Sequence, residues 1–162
     1  MSVLRRERQY RTSLGILSLI LIVVGAEARV AYAQTTPLPS NPKIVAPEGS
    51  VPLEVAAFSG KWTGMWEGKL NSTLVVRKIH AANGKGGYKA EGIYSWGAYP
   101  SWGITRADYK EWEGEIKDGR LEFQMGQADL RYTFSKEPNA LDGFYVRRAQ
   151  PATMGTFTRV KE

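Results

Sequence analysis

Residues 60–68 read GKWTGMWEG. On an extended strand, side chains two residues apart share a face, so Trp62, Gly64 and Trp66 point the same way while Thr63 and Met65 point the other. A glycine inside a strand costs entropy and packs nothing, so one set between two indoles answers a demand for space or curvature. The same demand recurs downstream. Ala90-x-Gly92-x-Tyr94, Trp112-x-Gly114-x-Ile116 and Leu141-x-Gly143-x-Tyr145 each place a glycine on an apolar strand face. Mid-strand glycines let a closed sheet coil sharply and make room for rings that reach across a narrow interior.

The surroundings are dense in aromatic and β-branched residues, with turn residues at short intervals. Eight strands are expected, over 60–67, 70–80, 87–96, 109–117, 120–125, 129–136, 140–147 and 153–160. ANGKGG (82–87) and Asp118-Gly119 suit tight hairpins, and GQA (126–128), EPNA (137–140) and AQPA (149–152) are further turn material. Alternation is cleanest in the middle of the chain. Leu121, Phe123 and Met125 oppose Arg120, Glu122 and Gln124; Leu130, Tyr132 and Phe134 oppose Arg131, Thr133 and Ser135. Consecutive antiparallel strands on short turns form a meander, and closing it removes two exposed edges. The prediction is an all-β fold, an eight-stranded antiparallel up-and-down barrel over residues 59–162. A sandwich is the rival architecture, but it needs longer crossing connections than this chain has. Only Gly97–Asp108 is a long connection.

Ahead of the barrel the chain has two parts. Residues 1–33 carry an arginine-rich start, a thirteen-residue apolar run (Leu14–Ala26) and the small-x-small site Ala31-Tyr32-Ala33. That is the layout of a secretory signal peptide, with Ala26-Glu27-Ala28 as a second possible cut, and it predicts a secreted or periplasmic protein. The apolar run is too short for a spanning helix, which needs ~20 residues. Residues 34–58 follow: a stretch with prolines at 37, 39, 42, 47 and 52, read as an extended tether, then LEVAAF (53–58), read as a short turn packing under the domain.

The chain is +6 overall, but five Arg and two Glu lie within residues 1–33. The remainder holds 17 basic and 14 acidic residues, interspersed, for a net +3. This pattern predicts no nucleic-acid partner, and membrane contact only transiently through the signal peptide. Cysteine is absent, which excludes disulfides, thiolate metal sites and a cysteine nucleophile.

Two end motifs bear a resemblance. Gly60-Lys61-Trp62 opens the first strand and GTFTRVK (155–161) ends the last. This resembles the calycin group: lipocalins, fatty-acid-binding proteins and avidins. The resemblance implies that Gly60 and Trp62 pack against Arg159 to close the barrel base, a pairing that suits a guanidinium on an indole face. SGKWT and TFTRV are similar to the ends of avidin-type chains, but Thr63, Gly64 and Met65 stand where avidins begin a hydrogen-bonding set, so biotin is not expected. The spacing W-x-G-x-W-x-G, YSWG and W-x-G-x-I also resembles small lipocalin-like domains of secreted bacterial proteins.

A barrel of eight strands encloses either a filled core or one small ligand. The functional expectation is a non-catalytic binding protein for a small, partly apolar molecule. The candidate ligand-binding residues are Trp62, Trp66, Tyr94, Trp96, Tyr99, Trp102, Arg106 and Trp112. Tyr99, Trp102 and Arg106 come from the loop SWGAYPSWGITRAD (95–108), where large rings on a connection read as a lid or a sugar platform. Two alternatives stand beside this: an accessory carbohydrate-binding module using Tyr99 and Trp102, and an envelope interaction protein with a filled core. No catalytic residue, metal ligand or cofactor is expected. His80 is the only histidine, and no Gly-x-Ser-x-Gly motif is present.

Overall fold

The computed structural model describes residues 36–40, 42–81 and 87–161, all within one compact unit, Tyr32–Glu162. The expected signal peptide and most of the 82–87 turn lie outside the described residues. A one-turn helix α1 (Leu53–Ala56) precedes β1 (Gly60–Trp66), β2 (Leu70–Ile79), β3 (Tyr88–Trp96), β4 (Asp108–Lys117), β5 (Arg120–Met125), β6 (Ala128–Phe134), β7 (Ala140–Arg147) and β8 (Thr153–Arg159). Every strand pairs antiparallel with the next, and β8 pairs back onto β1, so the sheet is a closed up-and-down barrel. The Asp118-Gly119 turn is a two-residue hairpin with positive φ at both positions (50° and 71°), the geometry that favours Asp-Gly.

The register explains the glycine between the indoles. Gly64 pairs with Ser72 on β2 and with Phe157 on β8. A Cβ added there would lie 2.8 Å from both Cα and Cγ of Phe157, and closer still to the Thr156 carbonyl oxygen. The missing side chain is therefore filled by the neighbouring strand and its ring. Gly143 does the same on β7, where a Cβ would stand 2.9 Å from Phe157, 3.0 Å from Trp66 and 3.1 Å from Tyr132. These rings are buried and fill the barrel from its middle up to Trp66. Trp112 stacks on Phe123 at 4.2 Å, and Tyr132 meets Phe157 edge-on at 5.2 Å.

One end is shut. Phe58, just after α1, is fully buried, and its carbonyl accepts a hydrogen bond from Trp62 Nε1 at 3.0 Å. The Arg159 guanidinium lies 4.1 Å over the Trp62 ring. Its Nη1 donates to the Ser59 carbonyl at 2.7 Å and its Nη2 to the Ala57 carbonyl. The clasp joins the residues entering β1 to the end of β8.

The proline-rich arm, expected as an extended tether, packs on the barrel as a strap. Thr73, Val75, Ile93 and Ser95 face outward in the β2–β3 register, yet none is more than 1% exposed. The arm covers them. Thr36 Oγ1 bonds Thr73 Oγ1 at 2.8 Å, Ser95 Oγ donates to the Pro37 carbonyl at 2.5 Å, and Val45 N–H donates to the Arg77 carbonyl at 2.8 Å. Prolines have no N–H to offer the strap, so hydroxyls and one amide fix it while Val75 and Ile93 supply the apolar surface.

Two interior groups lack a hydrogen-bond partner among the described residues, Trp112 Nε1 and the Tyr132 hydroxyl. Tyr132 is fully buried. Such an orphan costs ~1–3 kcal/mol. Burial also raises its pKa well above the ordinary 10.0. The folded state thus holds this proton more tightly than the unfolded state does. The associated stability is complete below pH 10 and falls as pH rises further. Tyr132→Phe is expected to stabilise the barrel by ~1 kcal/mol at neutral pH, with an advantage that grows toward pH ~11. Denaturant unfolding of both proteins at the two pH values measures this; equal stabilities throughout would contradict it.

Candidate ligand cup at the barrel mouth

An up-and-down barrel sends alternate turns to opposite ends. The β1–β2, β3–β4, β5–β6 and β7–β8 connections share the end away from α1, and there the interior opens into a cavity of about 640 Å³. Small-molecule sites typically enclose ~300–1,000 Å³. Trp66 forms the floor, resting edge-on against Phe157 at 5.1 Å. Its Nε1 donates to Tyr94 Oη at 2.6 Å, and Tyr94 Oη donates to Ser72 Oγ at 3.0 Å. Burial pushes the Tyr94 pKa up to about 12, against the pull of its bonds to Ser72 and Trp66, so the phenol remains a neutral donor at ordinary pH. This satisfied relay fixes two ring orientations before anything binds.

Leu70, Trp96, Ile104, Met125 and Tyr145 make the wall. Trp96 stacks on Tyr94 at 5.8 Å with planes 27° apart, and Tyr145 meets Trp66 edge-on at 6.1 Å. The rim carries Glu67, Trp102, Arg147, Gln150 and Thr153. Glu67 pairs with Lys69 at 3.2 Å, and the Lys69 ammonium lies 5.7 Å over the Trp102 ring. Apolar walls with a few polar groups at floor and rim suit a molecule that is mostly hydrocarbon or aromatic.

The residues expected to bind divide by depth. Trp66, Tyr94, Trp96 and Trp102 line the cup together. Trp62 faces inward too, but at the closed end under Arg159. Trp112 is buried one layer down, stacked on Phe123 and away from the cup. Tyr99 stands behind Trp102 at 5.2 Å and bridges to Ile104, so it props the loop. Arg106 is on the surface, its side chain 84% exposed and paired with Asp108 at 3.6 Å. Tyr99 and Trp102 meet at 82°, which does not form one flat platform for a sugar ring.

Sequence reasoning missed the rest of the wall and rim, including Leu70, Ile104, Met125, Tyr145, Arg147 and Gln150. The signal was present in two forms. Turns 126–128 and 149–152 fall at the same end as the SWG loop in any meander of this order. Leu141, Gly143, Tyr145 and Arg147 also keep one inward phase along β7. Among the described residues, no group of three His, Asp or Glu side chains is placed to hold a metal ion. A broader, more open hollow of about 860 Å³ lies on the outer face of β1 and β8, lined by Thr63, Met65, Thr156 and Thr158.

A scan against models of known protein families finds no match, and a search of curated proteins finds no significant relative.

Proposed function

We propose that this chain is an exported, non-catalytic binding protein that holds a small, partly apolar molecule in the barrel mouth. The observation that carries the reading is the open cup over a floor pinned by the Trp66–Tyr94–Ser72 relay. The open mouth, set against the base that Phe58 and Trp62 close, supports this reading over a core filled to both ends. Residues 1–33 support export, and the Trp62–Arg159 clasp supports a calycin-like reading of the barrel.

Titration calorimetry with alkanols of eight to fourteen carbons tests the proposal. The wild-type protein is expected to bind at least one of them saturably at one site. Trp96→Ala removes a wall ring worth ~0.5–1.5 kcal/mol beyond its buried area, so affinity should fall about 10-fold. Trp96 lies at the edge of the core, so the melting temperature should move little. No binding by the wild type, or unchanged affinity in the variant, would overturn the reading.

A further inference from the structure

We infer that the occupant of the cup is an amphipathic acid, with its anionic head on Arg147 at the rim and its apolar body against Trp66 and Trp96. The inference deepens the proposed function and rests on it. Its starting point is an uncompensated charge. Two charged side chains line the opening, Glu67 and Arg147. Glu67 and Lys69 pair with each other at 3.2 Å. Arg147 has no carboxylate partner among the described residues; its one bond is from Nε to Tyr145 Oη at 3.1 Å. The carboxylate at the mouth thus has a cationic partner, whereas the guanidinium has no anionic one among the described residues.

Arg147 is also aimed. Tyr145 and Arg147 are two residues apart on β7 and share its inward face. The guanidinium carbon lies 5.5 Å from the Tyr145 ring centroid, and that ring is part of the cup wall. With Nε engaged by the phenol, the two terminal nitrogens form an open fork, the arrangement that grips a carboxylate through two parallel bonds. Gln150 and Thr153 stand at the same side of the rim as neutral hydrogen-bonding groups. The position favours a charged head over a neutral one. At the rim the head stays partly hydrated, so its desolvation is small, while the apolar wall beside it strengthens the attraction to Arg147. Arg147 is exposed and outside the ring core, so folding gives little reason for it.

The test compares carboxylates and alcohols of equal length. Calorimetric titrations use octanoate to tetradecanoate and the matching alkanols, with the wild type, Arg147→Gln and Arg147→Lys. The best carboxylate should bind the wild type at least about 10-fold tighter than its alkanol, since hydrogen bonds to a charged group are stronger than neutral ones. Arg147→Gln should erase that margin by weakening carboxylate binding about 10-fold more than alkanol binding, and Arg147→Lys should restore part of it. Added salt should weaken carboxylate binding alone. Melting temperatures of both variants should match the wild type, as expected for an exposed position. Alkanol binding with no preference for the carboxylate, or an Arg147→Gln loss shared equally by both series, would overturn the acid and leave the cup standing. If neither series binds, the cup reading falls and this inference falls with it.

Discussion

Gly64→Val unfolds the barrel or leaves it marginally stable. The added Cβ would stand 2.8 Å from the Phe157 Cα and nearer still to the Thr156 carbonyl oxygen. Both are backbone atoms of β8, held by five residue pairs to β1, from Trp62↔Arg159 to Trp66↔Gly155. A side-chain clash relaxes by changing rotamer, whereas this one requires two paired strands to separate. Overpacking commonly costs ~1–3 kcal/mol, and a backbone clash at the closing seam belongs at or beyond the top of that range. Against a total stability of ~5–15 kcal/mol, such a loss is a large share. Gly49→Ala is the matched control: a Cβ there meets nothing within 4 Å. Urea unfolding should place Gly49→Ala within ~0.5 kcal/mol of the wild type. A Gly64→Val protein as stable as that control would remove the seam from the account.

Arg159→Met carries the second-largest expected loss. The guanidinium stacks on Trp62 at 4.1 Å and donates to the Ser59 and Ala57 carbonyls. Methionine keeps part of the apolar contact and none of the donors. Charged hydrogen bonds contribute ~1.5–3 kcal/mol each and a cation over an indole ~0.5–2, and water at the half-buried base recovers some of this. The net expectation is a loss of ~2–4 kcal/mol in denaturant unfolding. Arg159→Lys should recover only part, because one ammonium does not reach two carbonyls while lying flat on a ring. Ligand affinity, measured where the variant remains folded, should be unchanged, because the clasp and the cup are at opposite ends. A loss below ~0.5 kcal/mol, or a parallel loss of binding, would contradict this division of labour.

The strands were legible because their signals are local. Leu121, Phe123 and Met125 alternate with charged neighbours, and Asp118-Gly119 marks its hairpin, so β5 is expected and observed over the same residues, Arg120–Met125. The closing contact was legible from two short motifs, at Trp62 and Arg159. The cup was legible only in part, because depth in a barrel is not a local property. Trp62 and Trp66 share a face, but four residues separate them, about 13 Å along a strand. One ring reaches the sealed base and the other the open mouth. Trp112 has the right phase but pairs with Gly92, one inward position below Tyr94. Arg106 precedes the first residue of β4 and has no strand phase to place it. The strap was hidden because its prolines signal extension without saying what lies beneath. The clue sat elsewhere, in Val75 and Ile93, two apolar side chains on the outer face of the barrel.

All five tryptophans lie between residues 62 and 112, and each gives one indole N–H signal in a nitrogen–proton correlation spectrum. Following those signals while decanol or decanoate is added reads every depth of the barrel at once. The signals of Trp66, Trp96 and Trp102 should shift and saturate together, with those of Trp62 and Trp112 staying in place. Five unmoved signals, or shifts centred on Trp62 and Trp112, would contradict a binding cup at the mouth above a filled base.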